Sequence, residues 1–261
     1  MTRLENKLRK IFREGKVAFG PFMKFTDAAA VEIAGFAGFD FVIIDTEHGP
    51  ISIETAQNLI RSAEVAEITS IIRVRENNSS FILRALDIGA QGVEIPHISA
   101  KEDALRGVEA AKFSPQGERG VCRFVRAAGY SSLERYKYFE FSNKETIVIV
   151  HIEGIEGVKN LKEILTVKGL DVIFLGPYDL SSSCGVTGQI NHPSVIRKME
   201  EAVKLSRKAN VAVGTFVDSF EDAKKWIDAG VQYISFSVDV GIFYEACCKT
   251  VKNLRDLAIN K

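Results

Sequence analysis

Ionisable residues gather just after short apolar runs in this chain. Asp45-Thr46-Glu47-His48 follows residues 41–44, Arg73 and Arg75 flank Val74, and Pro96-His97 follows residues 92–95. His151 and Glu153 close residues 147–152, and Gly176-Pro177-Tyr178-Asp179 follows residues 171–175. Charged groups at the ends of buried strands are costly unless they are paired, metal-bound or catalytic. Glu153 and Asp179 supply two carboxylates from consecutive strands, hard oxygen donors that suit Mg²⁺ or Mn²⁺ and leave positions for water and a bidentate 2-oxo acid. Either one alone reads more simply as a helix cap or a partner for lysine; together they point to a metal. His48 has the side chain of an acid–base group at neutral pH, against the plainer reading of a histidine satisfied in a tight turn. Arg73 could neutralise an enolate or a carboxylate, or pair with Asp45 or Glu47. His151 stands two residues before Glu153, on the same side of the strand, where it orients a ligand or fills the inner layer. Lys24 either lines the same mouth or remains solvated. No lysine occurs within residues 147–152 or 171–175, so a Schiff base has no candidate there and metal-assisted enolisation is favoured.

These groups need a scaffold that brings strand ends together. Residues 17–22, 41–44, 70–74, 92–95, 147–152, 171–175, 211–216 and 233–236 read as strands, several almost wholly apolar as strands covered on both faces should be. Helical spacing fills the intervals, for example residues 55–67 and 193–209. Ala37-Gly38-Phe39-Asp40, Ile88-Gly89-Ala90-Gln91 and Ala229-Gly230-Val231-Gln232 each place glycine just past a helix, where a left-handed cap costs least. The alternation predicts a (β/α)8 TIM barrel in one domain spanning residues 1–261, with the chemistry at the carboxyl ends of the strands. A doubly wound open sheet is the alternative, but Gly20-Pro21-Phe22-Met23 is not the glycine-rich turn its nucleotide-binding form requires. The connection from Pro96 to Thr146 is long enough for two helices and an irregular loop at residues 114–122. Residues 240–260 read as one long helix.

Composition narrows the function classes. Lys+Arg and Asp+Glu are each 34, for a net charge of zero, which predicts neither nucleic-acid nor membrane partners. Residues 1–12 are charged and amphipathic, unlike a signal peptide. Cys122, Cys184, Cys247 and Cys248 form no CxxC pair and read as free thiols of a cytoplasmic protein.

At these residues the chain resembles the HpcH/HpaI aldolase family, the class II pyruvate aldolases related to citrate lyase β subunits. The resemblance spans residue 25 to about residue 246. It rests on Phe39-Asp40-Phe41-Val42-Ile43-Ile44-Asp45-Thr46-Glu47-His48-Gly49-Pro50, Leu86-Asp87-Ile88-Gly89-Ala90-Gln91, Gly117-Glu118-Arg119-Gly120-Val121, Ile152-Glu153, and Ile173-Phe174-Leu175-Gly176-Pro177-Tyr178-Asp179-Leu180-Ser181. It implies a metal-dependent aldolase that cleaves or forms 4-hydroxy-2-oxo acids, giving pyruvate and an aldehyde. One divalent ion (Mg²⁺, Mn²⁺ or Co²⁺), with no organic cofactor, would be held by Glu153 and Asp179. Arg73 would hold the pyruvate oxygen, and His48 with Asp87 would form the acid–base dyad. The turn Gly176-Pro177-Tyr178-Asp179 would grip the substrate carboxylate through the amides of Tyr178 and Asp179, and Asp45 would reach a neighbouring subunit's site. A homohexamer with an exchanged last helix is also implied. Two positions depart from the family: His151 replaces a glutamine that touches substrate or bound water, and Phe236-Ser237-Val238-Asp239 replaces Val-Gly-Val-Asp. Two other functions share the scaffold: condensation of an acyl-CoA with oxaloacetate to citrate, and non-catalytic binding of a 2-oxo acid.

Overall fold

The computed structural model describes residues 5–259. Eight parallel strands pair in chain order: β1 (Ala18–Met23), β2 (Phe41–Asp45), β3 (Thr69–Arg73), β4 (Gly92–Ile95), β5 (Ile147–Ile152), β6 (Val172–Leu175), β7 (Ala212–Val217) and β8 (Tyr233–Val238). The last strand returns to the first, with Ala18 opposite Tyr233. This closure makes the (β/α)8 barrel expected from the sequence and excludes the open sheet. Every expected strand is present, with ends shifted slightly.

Side chains alternate along a strand, so each strand serves two cores. Val42, Ile44, Ile72, Val93, Ile95, Val148, Val150, Ile173 and Leu175 face outward and pack beneath the helices. Phe22, Phe41, Ile43, Ile71, Ile147, Ile149, Phe174 and Tyr233 fill the interior. Glycine makes room for the inner rings: a Cβ on Gly214 would stand 2.6 Å from Tyr233 Cδ1. Phe41 and Tyr233 stack at 4.0 Å in that space. The same alternation carries Asp45, Arg73, Glu94 and His151 inward. Register sets Asp45 beside Arg73 and Arg73 beside Glu94.

The helices are α1 (Lys7–Arg13), α2 (Ala28–Phe36), α3 (Ile53–Val65), α4 (Ser79–Asp87), α5 (Lys101–Ala111), α6 (Arg135–Glu145), α7 (Ile155–Lys159), α8 (Leu161–Ile164), α9 (Pro177–Ser183), α10 (Pro193–Lys208), α11 (Phe220–Ala229) and α12 (Asp239–Ile259). Asp27, Ser52, Asn78 and Ser219 cap α2, α3, α4 and α11 by accepting from first-turn amides, which satisfies donors the helix itself cannot. Gly38, Gly89 and Gly230 take φ of +99°, +104° and +102°, the left-handed stops read from the sequence. The long fourth connection holds α5, an irregular loop, a short 3₁₀ turn (Arg126–Ser131) and α6, as expected. Residues 1–4 of the expected amphipathic start, and Asn260 of the expected last helix, lie outside the described residues. Among the described residues no helix is long and apolar enough to cross a membrane.

Candidate active site at the carboxyl ends of the strands

The turn after β2 is tight. Asp45 Oδ1 accepts from the backbone amides of Glu47 and His48, each at 3.1 Å. A Cβ at Gly49 would stand 2.2 Å from the Asp45 carbonyl oxygen, so only glycine lets the chain pass there. Asp45 is wholly buried and grips Arg73 in bidentate fashion, Nε to Oδ1 at 2.9 Å and Nη2 to Oδ2 at 2.7 Å. Burial would push the Asp45 carboxyl up, but Arg73 and the His48 amide outweigh it and hold the group below the usual carboxylate range. Burial likewise opposes the Arg73 charge, and its hydrogen bonds and attraction to Asp45, with Glu94 and Glu47, raise it nonetheless. Glu47 lies 3.3 Å from Arg73 Nε. Its carboxyl is pushed up by burial against the opposing pull of Arg73.

A second group rises from inside the barrel. Glu94 on β4 is fully buried and hydrogen-bonds His151 Nε2 on β5. The imidazole stacks on Phe174, centroids 4.5 Å apart, and turns Nδ1 towards Glu153 Oε2 at 3.3 Å. Burial disfavours imidazolium here, yet the carboxylates of Glu94 and Glu153 carry His151 up to about 9. Burial also opposes the Glu153 charge, but His151 and His97 pull Glu153 down to about 2, so it is a carboxylate at neutral pH. His97 adopts a left-handed backbone, φ +59°. That bend aims its amide and Nδ1 at Glu153 Oε1, both at 2.8 Å, and its Nε2 at Glu47 Oε1, 3.2 Å away.

The β6–α9 turn completes the mouth. A Cβ on Gly176 would meet Glu153 Cβ at 3.0 Å and Oε2 at 3.3 Å, so the turn approaches Glu153 closely because it lacks a side chain. Pro177 occupies the first helical position and no side chain caps α9. The first-turn amides of Tyr178 and Asp179 are thus without intrahelical acceptors. Tyr178 donates its hydroxyl to Asp218 at 2.5 Å, and that bond, with partial burial, pushes it up to about 12. Asp179 is exposed. Lys24 Nζ stands 3.9 Å from Asp45, and Asp239 accepts from the amides of Lys24 and Phe25, tying the end of β1 to α12.

The donor set suits a hard divalent ion. Glu153 is ionised and held by its neighbours, and Asp179 lies in the first turn of the helix whose entry glycine touches Glu153. Two carboxylates leave places for water and a chelating substrate. Among the described residues no three His, Cys, Asp or Glu side chains enclose a metal by themselves. A hollow of about 540 Å³ at the opposite, amino-terminal end of the barrel is lined by Arg9, Ile147 and Asp171. Its principal charges neutralise each other, Arg9 with Asp171 at 2.7 Å and Arg13 with Glu5 at 2.5 Å.

Two expected placements take another form within the single chain. Asp45 is buried and binds Arg73 through both carboxylate oxygens. Among the described residues His48 and Asp87 each pair with another group. Asp87 closes α4 on the outer layer and takes Arg119 Nη2 at 2.7 Å. The His48 ring is mostly exposed, with Glu47 the carboxylate within reach at 4.0 Å. Glu47, Glu94 and His97 went unassigned in the sequence. Glu94 carried a signal, a lone charge inside a run otherwise apolar and destined for burial.

The geometry has counterparts among known proteins. The model of the HpcH/HpaI aldolase/citrate lyase family matches residues 18–246. A hydroxypyruvate/pyruvate aldolase of Roseobacter denitrificans is 31% identical over 91% of this chain and 92% of its own length. A 2-keto-3-deoxy-L-rhamnonate aldolase of Escherichia coli is 33% identical over 93% of this chain and 91% of its own. The crystal structure of the citrate synthase SbnG superposes with a TM-score of 0.87 at 30% identity, covering 96% of this chain and 98% of that one. With the family model matched over residues 18–246, aldolase relatives aligned over more than nine-tenths of the chain and the same barrel, this chain belongs to the HpcH/HpaI aldolase/citrate lyase family and is an aldolase, a carbon–carbon lyase.

Proposed function

We propose that the chain cleaves and forms 4-hydroxy-2-oxo acids, with pyruvate or a close 2-oxo acid as the enolate-forming partner and an aldehyde as the other. The observation that carries this reading is the convergence of an ionised Glu153, an anchored Arg73 and an accessible His48 at one barrel mouth. Glu153 and Asp179 are the residues to hold a divalent ion, Mg²⁺, Mn²⁺ or Co²⁺; when bound, such an ion acidifies the C–H beside the 2-oxo group and stabilises the enolate. Arg73 presents Nη1 to the developing enolate oxygen while Asp45 fixes the rest of its fork, an orientation a lysine cannot reproduce. His48 Nε2 removes and returns the C3 proton, with Glu47 beside it in the partner role the resemblance gives to Asp87. The amides of Tyr178 and Asp179 receive the substrate carboxylate, and His151, standing where the resemblance has a glutamine, turns its two nitrogens to Glu94 and Glu153. The four cysteines carry no disulfide, which favours a reducing, cytoplasmic setting. The exposed apolar side of α12 favours a homohexamer.

The test is deuterium exchange at C3 of pyruvate in D₂O. Exchange is expected to stop on exhaustive treatment with EDTA, return with Mg²⁺, Mn²⁺ or Co²⁺, and fall sharply in His48→Ala. Full exchange without metal overturns the metal assignment, and unchanged exchange in His48→Ala removes that residue from its role. The likeness to SbnG supports a second reading, condensation of an acyl-CoA with oxaloacetate. Acetyl-CoA consumed with oxaloacetate, in the absence of aldol cleavage, would select it.

A further inference from the structure

We infer that Glu94 is a positioning residue for Glu153, acting through the ring of His151. Glu94 lies in the inner layer among Ile149, Phe174 and Tyr233, where a carboxylate persists only if its acceptors are used. Its Oε1 takes His151 Nε2 and its Oε2 lies 3.4 Å from the Tyr233 hydroxyl. Phe174 fixes the plane of the imidazole by stacking, at 15° between rings. Glu94 fixes its rotation within that plane. With plane and rotation both set, Nδ1 has one direction left, towards Glu153 Oε2 at 3.3 Å. His97 holds the other oxygen of Glu153 through its amide and Nδ1. Each oxygen of the metal-binding carboxylate therefore has its own orienting partner, and one of those partners is steered from the barrel interior.

Glu94 and His151 also form a matched set. A glutamine at 151 could donate to Glu153 unaided, with no buried acceptor beneath it. A histidine leaves its far nitrogen facing the apolar layer, and Glu94 satisfies that nitrogen. Losing Glu94 alone strands His151, whereas exchanging both residues restores a self-sufficient pair. Outer partners of this kind govern metal affinity through the orientation of the ligand they hold.

This inference rests on the reading that Glu153 holds the metal. The experiment is Mn²⁺ binding to the full chain followed by electron paramagnetic resonance, alongside kcat and KM for aldol cleavage. Glu94→Gln is expected to weaken Mn²⁺ binding by about tenfold or more, with circular dichroism unchanged. Glu94→Leu combined with His151→Gln is expected to bind Mn²⁺ within a few-fold of the parent and to recover kcat; the loss of Mn²⁺ affinity in a folded Glu94→Gln is the change that a purely structural role for Glu94 would not give. Glu153→Gln is the control and should abolish binding. If Glu153→Gln abolishes binding while Glu94→Gln leaves it unchanged, the positioning role is overturned and the metal assignment stands. If Glu153→Gln itself binds Mn²⁺ normally, the metal assignment and the inference fall together. Should Glu94→Gln not fold, the double variant decides: folded with weak Mn²⁺ binding, it overturns the inference.

Discussion

Arg73 is the residue whose surroundings most constrain its chemistry. Two of its nitrogens are committed to Asp45, its guanidinium lies 4.5 Å over the Phe22 ring, and the side chain is 12% exposed. Such a group donates to an anionic oxygen in one geometry and does not reorganise during reaction. Arg73→Lys keeps the charge and loses the planar fork, and should lower kcat/KM by roughly 10²–10³ with the fold intact. A lysine variant of near-normal kcat/KM would remove the guanidinium from the reaction. The same residue shows what could and could not be read beforehand. Arg73, His48, Glu153 and Asp179 were visible because charged types stand directly after apolar runs. Asp45 or Glu47 was read as a partner for Arg73, but the choice between them depends on strand register: β2 and β3 place residues 45 and 73 side by side. Glu94 was visible as a lone charge in an apolar run, but four residues of strand are too few to reveal which side faces in, so its partner His151 was not.

At the scale of elements, the strands were legible because a parallel sheet buried on both faces demands nearly continuous apolar runs, and the glycine stops were legible because the left-handed backbone favours one residue type. The long fourth connection was less so. Its packing rests on side chains that bond backbone atoms far along the chain, and composition gives no hint of them. Lys112, just past α5, is one. Its Nζ donates to the carbonyls of Asn143 at 2.9 Å and Thr146 at 2.6 Å, tying α5 to the end of α6. Burial lowers this ammonium to about 8, only partly countered by Asp171. The folded chain thus holds the proton more weakly than the unfolded chain, and stability rises as pH climbs from about 8 towards the ordinary lysine value. The fall from 10.5 to about 8 corresponds to about 3 kcal/mol. Urea midpoints of the parent should therefore rise, relative to those of Lys112→Met, between about pH 7.5 and about pH 10. Parallel pH profiles for the two proteins would show that Lys112 does not titrate in this way. The Arg9 guanidinium, which donates to the same Thr146 carbonyl at 2.9 Å, keeps that oxygen paired in the variant.

At the scale of the whole molecule, the barrel closes its own sheet and covers it with helices, yet α12 keeps a side that nothing among the described residues covers. Val240, Phe243, Tyr244, Val251, Leu254 and Leu257 recur at helical spacing along it and are exposed. Phe243 touches Phe25 edge-on at 6.0 Å near the mouth, so the start of this stripe lies beside the candidate active site. Ile33 and Phe36 on α2 and Phe220 at the head of α11 are exposed as well. A contiguous apolar stripe facing water is costly, and soluble chains cover such stripes by association. A closed oligomer does so symmetrically, each copy giving and receiving the same surface. The homohexamer proposed above predicts that light scattering on the full chain reports six copies of 28.8 kDa. Phe243→Asp with Leu254→Asp should reduce that mass while leaving far-ultraviolet dichroism unchanged, because both side chains are largely exposed on α12. A parent protein that runs as one 28.8 kDa chain at micromolar concentration would overturn the assembly. An intact hexamer in the double variant would move the interface away from α12, onto the exposed apolar residues of α2 and α11.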